Sequence, residues 1–278
     1  MGKVMIKFSI VIPVYNKAEY TKKCLDALVI EQKPDWEIIV LNNASSDHTQ
    51  EMLDAYDSIQ AIHNEENLGC AGAWNQGIEL AKGEWIVVLN NDVLLPKCWL
   101  EKLESTADKE GFEVISPAIR EGSDAYDLDA YAETFTKELK GVFRLGRPNG
   151  ICFMVKRRVF EQVGVFDLNF KIGQYEDADF FRRCRFAKIK MATTGASLIH
   201  HYGSLTQKDM KKGSGLPEYA RLNRAYYRKK WKLNPLRLQW ERFWERRQLN
   251  HWRQSEMNTY GRRLFERFDD PKENGVSS

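Results

Sequence analysis

Five short apolar runs, separated by stretches with helical spacing, dominate the first 120 residues. Phe8–Val14 (FSIVIPV), 36–41 (WEIIVL), 59–63 (IQAIH), Trp85–Leu89 (WIVVL) and 114–119 are rich in β-branched residues and mostly non-alternating. That is the pattern of strands buried on both faces. Between them, 17–30 places Tyr20, Cys24, Ala27 and Leu28 on one helical face, and 71–81 aligns Ala71, Trp74, Ile78 and Ala81. A helix carrying Met52, Leu53 and Tyr56 follows Asp47 and Gln50, which stand at capping-box spacing. Such alternation predicts an α/β fold: a Rossmann-like, doubly wound, mostly parallel sheet.

Beyond 121 the pattern loosens, and DAYDLDAYAETF shows no clear period. A strand-then-helix unit returns at 151–163, closed by Gly164. Residues 207–217 (QKDMKKGSGLP) read as a hinge. From 218 to 268 the chain reads as helical, broken near Asn234-Pro235, and it ends in a polar DDPKENGVSS. This divides the chain into a domain over 1–215 and a helical C-terminal extension over 216–278. Charge follows the same division. Residues 216–278 hold 15 Lys/Arg against 8 Asp/Glu, a net of +7, while the rest of the chain carries −4. The five cysteines are odd in number, widely spaced and without a CxxC pair, so neither a zinc site nor a disulfide framework is indicated. With neither a signal peptide nor an apolar run of about 20 residues, the expected setting is cytoplasmic.

Open parallel sheets bind ligands at the carboxyl edge. Polar clusters follow three strands: Pro13-Val14-Tyr15-Asn16, Asn42 to Asp47, and Asn90-Asn91-Asp92. Any one of them could simply cap a turn; three on one edge suggest a site. The first turn has no GxGxxG, and no GxxxxGK[ST] occurs, which disfavours a dinucleotide fold or an ATPase-type phosphate loop. Asp92, after a fully apolar strand, suits a divalent cation that bridges a diphosphate. Tyr175-Glu176-Asp177-Ala178-Asp179 crowds three acids, either as a solvated helix start or as a functional cluster. His200-His201 is either structural or metal-ligating.

Together these segments resemble the inverting glycosyltransferases of family 2, with the GT-A fold, over about 70% of the chain (residues 8–205). The resemblance rests on FSIVIPVYNKAEY from Phe8, IIVLNNASSDHT from Ile38 and NEENLGCAGAWNQGIELAKGEWIVVLNND from Asn64. It continues through RPNGICFMVKRRVFEQVGVFD from Arg147, YEDADFFRR from Tyr175 and IHHYGSLT from Ile199. The resemblance implies transfer of a sugar from a nucleotide-diphosphate sugar to a hydroxyl acceptor, such as a growing glycan or a lipid-linked sugar. It implies a nucleotide pocket formed by Pro13, Tyr15, Asn16, Asn42, Asn43, Asn67, Gly69, Asn75 and Asn91. It further implies a Mn²⁺ or Mg²⁺ site at Asp92 with His201 or His200, Asp177 as catalytic base and Glu176 on the acceptor hydroxyls.

This chain departs from the family pattern at two positions: Asn42 and Asn90 stand where members usually carry Asp. The Asn42 carbonyl can still accept from a pyrimidine N–H, so UDP- or dTDP-sugars are favoured over GDP-sugars. With one strong anionic ligand left, the diphosphate must complete the metal shell. Two rival functions are a sugar nucleotidyltransferase, which would need a Gly-rich basic loop after the first strand, and a silent nucleotide-sugar-binding or scaffold module, which would be expected to have lost its acids. The aromatic and basic residues of 216–278 admit three readings: packing on the domain or on a twin subunit, peripheral contact at the inner face of the membrane, and nucleic-acid binding. Nothing in the domain supports the last.

Overall fold

The computed structural model describes residues 5–203 and 218–268. Residues 207–217, read as a hinge, and the DDPKENGVSS end lie outside the described residues. The apolar runs become β1 (Phe8–Val14), β2 (Trp36–Asn42), β3 (Gln60–His63), β4 (Trp85–Leu89) and β6 (Val114–Glu121). The intervening helices are α1 (Ala18–Glu31), α2 (Thr49–Asp54), α3 (Gly69–Leu80) and α4 (Trp99–Glu110), with a short β5 (Val93–Leu94) before α4. The chain continues through α5 (Leu128–Leu139), β7 (Phe143–Leu145), β8 (Cys152–Lys156), α6 (Arg157–Val163), α7 (Glu176–Phe186) and β9 (Met191–His201). It closes with α8 (Glu218–Lys230), α9 (Pro235–Tyr260) and β10 (Phe265–Arg267).

The sheet order is β3-β2-β1-β4-β8-β6-β9-β5. β1 to β4 run parallel, as do β6 and β9, whereas β8 is antiparallel to both β4 and β6. Alternation along β1 separates two cores. Phe8, Ile10, Ile12 and Val14 face α1, α2 and α4, while Val11 faces α3, α6 and α7. The result is helices on both faces of a mostly parallel sheet. Gly77 lets α3 approach closely, since a Cβ there would lie 2.3 Å from a Val11 methyl.

Three local readings are corrected. The stretch without a clear period contains α5, whose buried seam of Ala132, Phe135, Thr136 and Leu139 holds only two large apolar residues. The Asp47/Gln50 capping box does not form. The Asp47 carboxylate instead accepts from Ala18 N at 3.3 Å and Thr49 N at 3.1 Å, tying α1 to α2. The last helix stops at Tyr260 with Gly261 in the left-handed region, and Phe265–Arg267 becomes a strand parallel to β6. β8 pairs with β6 only at Val114 and Ile115, so β10 occupies the same lane further along, at Ile119 to Glu121.

Candidate active site

At the carboxyl ends of β1 and β2 the loops lock onto each other. Asn16 and Lys17 take left-handed backbone conformations to turn the chain into α1. Asn16 N donates to Ser45 Oγ at 2.8 Å, and Asn16 Oδ1 accepts from Ser46 N at 2.8 Å. Asn42 is buried; its Oδ1 accepts from Ser45 N at 3.1 Å, and its Nδ2 lies 3.1 Å from His63 Nδ1. Asn43 Nδ2 donates to Asn67 Oδ1 at 2.9 Å and to Gly69 O at 3.2 Å, so Asn43, Asn67 and Gly69 form one cluster. Asn75 clamps the Phe166 peptide through both ends of its amide, at 2.8 and 2.9 Å. Pro13 and Tyr15 are half-buried at the same edge. Asn91 Nδ2 donates to Thr21 Oγ1 at 2.8 Å.

The register of β5 against β9 sets Val93 opposite His201 and thereby brings Asp92 to the histidine. His201 Nε2 lies 3.4 Å from Asp92 Oδ1, and its Nδ1 lies 3.9 Å from Glu121 Oε2. Burial alone would lower the imidazolium pKa, but the Asp92 and Glu121 carboxylates outweigh it and raise it to about 9. His200 points to the other face of β9, where its Nδ1 lies 3.0 Å from the Tyr126 hydroxyl and burial pushes its pKa down to about 4. Among the described residues no group of three His, Cys, Asp or Glu converges on one point. Asp92 and His201, the latter backed by Glu121, could supply one carboxylate and one imidazole to a donor set. That share fits a hard cation whose remaining ligands are diphosphate oxygens.

The acids of α7 separate by their partners. Asp179 is fully buried but neutralised: Arg183 Nε donates to it at 2.9 Å, Trp231 Nε1 at 2.9 Å and Lys230 Nζ at 2.9 Å. Glu176 is buried, with Oε2 lacking a hydrogen-bond partner among the described residues, and burial followed by the Asp177 charge raises its pKa to about 8. Burial likewise raises Asp177, whose Oδ1 accepts from Ala178 N at 2.7 Å. Gly150 faces this carboxylate so closely that a Cβ there would lie 2.0 Å from Asp177 Oδ2.

The approach to α7 is strained. Ile172, Gln174 and Tyr175 all have positive φ, at 62°, 74° and 78°, a conformation side-chain-bearing residues hold only when the surroundings impose it. Asn223 of α8 supplies that support. Its Nδ2 donates to the carbonyls of Lys171 (2.8 Å), Gly173 (2.8 Å) and Gln174 (3.1 Å), and its Oδ1 accepts from Lys171 N (2.9 Å). Sequence reasoning did not single out Gly150, Glu121 or Asn223. Gly150 sat unremarked inside RPNGICF, and Asn223 carries no local signal.

A mostly parallel sheet flanked by helices on both faces is the architecture of the GT-A fold. The chain belongs to the glycosyl transferase family 2, whose profile it matches over residues 9–172, more than half its length. It is 27% identical to the glycosyltransferase AglE of Haloferax volcanii over 236 residues, covering 80% of this chain and 76% of that protein. It is 28% identical to the putative glycosyltransferase EpsH of Bacillus subtilis over 282 residues, covering 93% and 80%. Among solved structures, GalNAc-T7 with UDP, GalNAc and Mn²⁺ superposes with a TM-score of 0.59 at 16% identity, covering 72% of this chain but only 44% of that one. S. aureus TarS 1–349 superposes with a TM-score of 0.57 at 15% identity, covering 78% and 68%. At these identities the two structures speak for the fold alone.

Proposed function

We propose that this glycosyltransferase moves a sugar from a nucleotide-diphosphate sugar to a hydroxyl of a glycan or lipid-linked acceptor, inverting the anomeric centre, with Asp177 as general base. The observation that carries the reading is the contrast within one helix turn. Asp179 is held by three donors, two of them cationic, whereas Glu176 and Asp177 are left with raised proton affinity. Asp177 takes the proton from the acceptor hydroxyl as its oxygen bonds to the anomeric carbon, and the bond from that carbon to the diphosphate oxygen breaks on the opposite face. Glu176 holds acceptor hydroxyls beside it. One displacement completes the transfer without a covalent intermediate.

Asp92 and His201 would hold a Mn²⁺ or Mg²⁺ together with the donor diphosphate, and Glu121 orients the imidazole. Bound there, the cation neutralises the charge of the departing diphosphate. The proposal includes a nucleotide donor and a cation, with UDP or dTDP preferred over GDP because the Asn42 carbonyl can accept from a pyrimidine N–H. The proposed machinery lies within 1–215, with 216–278 as an extension bracing it. The test is Asp177→Asn, which should cut transfer by about 10²–10⁴-fold while leaving donor affinity, measured by calorimetry, unchanged. Transfer within tenfold of wild type refutes the role of Asp177.

A further inference from the structure

The long helix α9 wears its charges the wrong way round for a surface helix. Its three carboxylates all turn toward the body. Glu241 receives Arg182 through two bonds of 3.0 Å, Glu245 receives Arg147 at 3.1 Å, and Glu256 receives Arg144 at 2.7 and 2.6 Å. Its five arginines, Arg237, Arg242, Arg246, Arg247 and Arg253, are all exposed. Among them, at helical spacing, runs a ridge of Leu236, Trp240, Phe243 and Trp244, exposed by 78, 65, 57 and 47%.

Each flank of the ridge is a basic groove. On one side a cavity of about 400 Å³ is lined by four arginines, Arg147, Arg182, Arg185 and Arg237, against two carboxylates, Glu241 and Glu245, with Trp240 and Trp244. On the other, a cavity of about 450 Å³ is lined by Phe243, Arg246, Arg247 and His251. In the first, Arg182 and Arg237 share the single carboxylate of Glu241.

We infer that the outer face of α9 docks on an anionic lipid bilayer, with the ridge at headgroup depth and the grooves taking lipid phosphates. Aromatic side chains are favoured at that depth and guanidiniums pair with phosphate oxygens there. Charge favours a membrane over a second copy of this face, because +7 on 216–278 would meet +7. Among the described residues no helix is long and apolar enough to cross a membrane, so the contact is with the surface. The inference does not depend on the chemistry assigned to Asp177.

The test is flotation of the full-length protein with vesicles of phosphatidylcholine alone or with about one third phosphatidylglycerol, at low and high salt. Binding should require phosphatidylglycerol and weaken at least tenfold in high salt. Trp240→Ser with Phe243→Ser should weaken it at least tenfold, and Arg185→Gln about fivefold, the worth of one basic residue near an anionic surface. All three positions are exposed, and circular dichroism checks the fold. Inorganic phosphate at millimolar concentration should not release the protein; release would mean the grooves bind free phosphate instead of lipid and overturn the inference. So would failure to float, insensitivity to the ridge substitutions, or a wild-type dimer that those substitutions split. Unchanged transfer to a water-soluble acceptor in the variants separates this failure from failure of the catalytic reading.

Discussion

Gly150→Ala isolates the placement of the proposed base from its chemistry. Gly150 does not require a left-handed backbone, so alanine can adopt its conformation. The added methyl would lie 2.0 Å from Asp177 Oδ2 and 2.8 Å from its Cγ. Ordinary non-bonded contact begins near ~3.5 Å, so the carboxylate must retreat by about 1.5 Å. Because that carboxylate ends a rotatable side chain, folding tolerates the shift, and the reduced freedom of the unfolded chain offsets part of the cost, about 0.4–1 kcal/mol. Catalysis does not tolerate it: a displacement near 1 Å costs on the order of 10²-fold. Steady-state transfer should therefore fall about 100-fold, with donor affinity unchanged and the melting temperature within a few degrees of wild type. In an Asp177→Asn background the same alanine should cost nothing further, because both changes act on one group. A Gly150→Ala enzyme within threefold of wild type, or full additivity in the double variant, refutes the reasoning.

Other consequences follow from the same geometry. Since burial raises the Asp177 pKa and a base must be deprotonated, transfer should be lost as pH falls, and at a higher pH than an ordinary aspartate would give. A kcat/KM profile whose acid limb lies at or below the ordinary Asp value of ~3.9 would contradict this. Asn223→Ala leaves three carbonyls and one N–H of the strained turn without their partner. It should cost about 2–4 kcal/mol in urea unfolding and lower kcat more than it raises the donor KM; an unchanged kcat would reduce Asn223 to a packing residue. Chelation should stop transfer, and Asp92→Ala should weaken diphosphate binding only when Mn²⁺ or Mg²⁺ is present. His201→Ala should raise the metal concentration giving half-maximal rate while His200→Ala, facing Tyr126, should not; full turnover in excess EDTA overturns the cation's role.

What could be read from the sequence was whatever local periodicity governs. β1, β4 and the Ala71–Trp74–Ile78 face of α3 stand where their patterns put them, because strands buried on both faces leave an unmistakable apolar run. α5 escaped because its seam mixes an alanine and a threonine with one phenylalanine and one leucine. β10 escaped because three residues carry no period, and pairing with β6 alone makes them a strand. The site divides similarly. Motifs pointed to Asp92, Glu176 and Asp177, but not to the different fate of Asp179, whose partners Lys230 and Trp231 lie some 50 residues away. Choosing between two adjacent histidines needed the β5–β9 register, since neighbours on a strand face opposite ways.

The placement of β10 bears on how the molecule is made. β6 runs past the end of β8, and on that side its backbone at Ile119–Glu121 is paired, among the described residues, with 265–267 alone. A ribosome delivers those residues long after β6 itself. Until they emerge, the nascent protein carries a bare strand edge beside Glu121, the carboxylate that backs His201, and bare edges recruit other chains. A premature stop or a protease cut ahead of Phe265 would leave that edge open permanently. Such a product would meet quality control as a sticky polypeptide, well before its lack of transferase activity could matter to the cell.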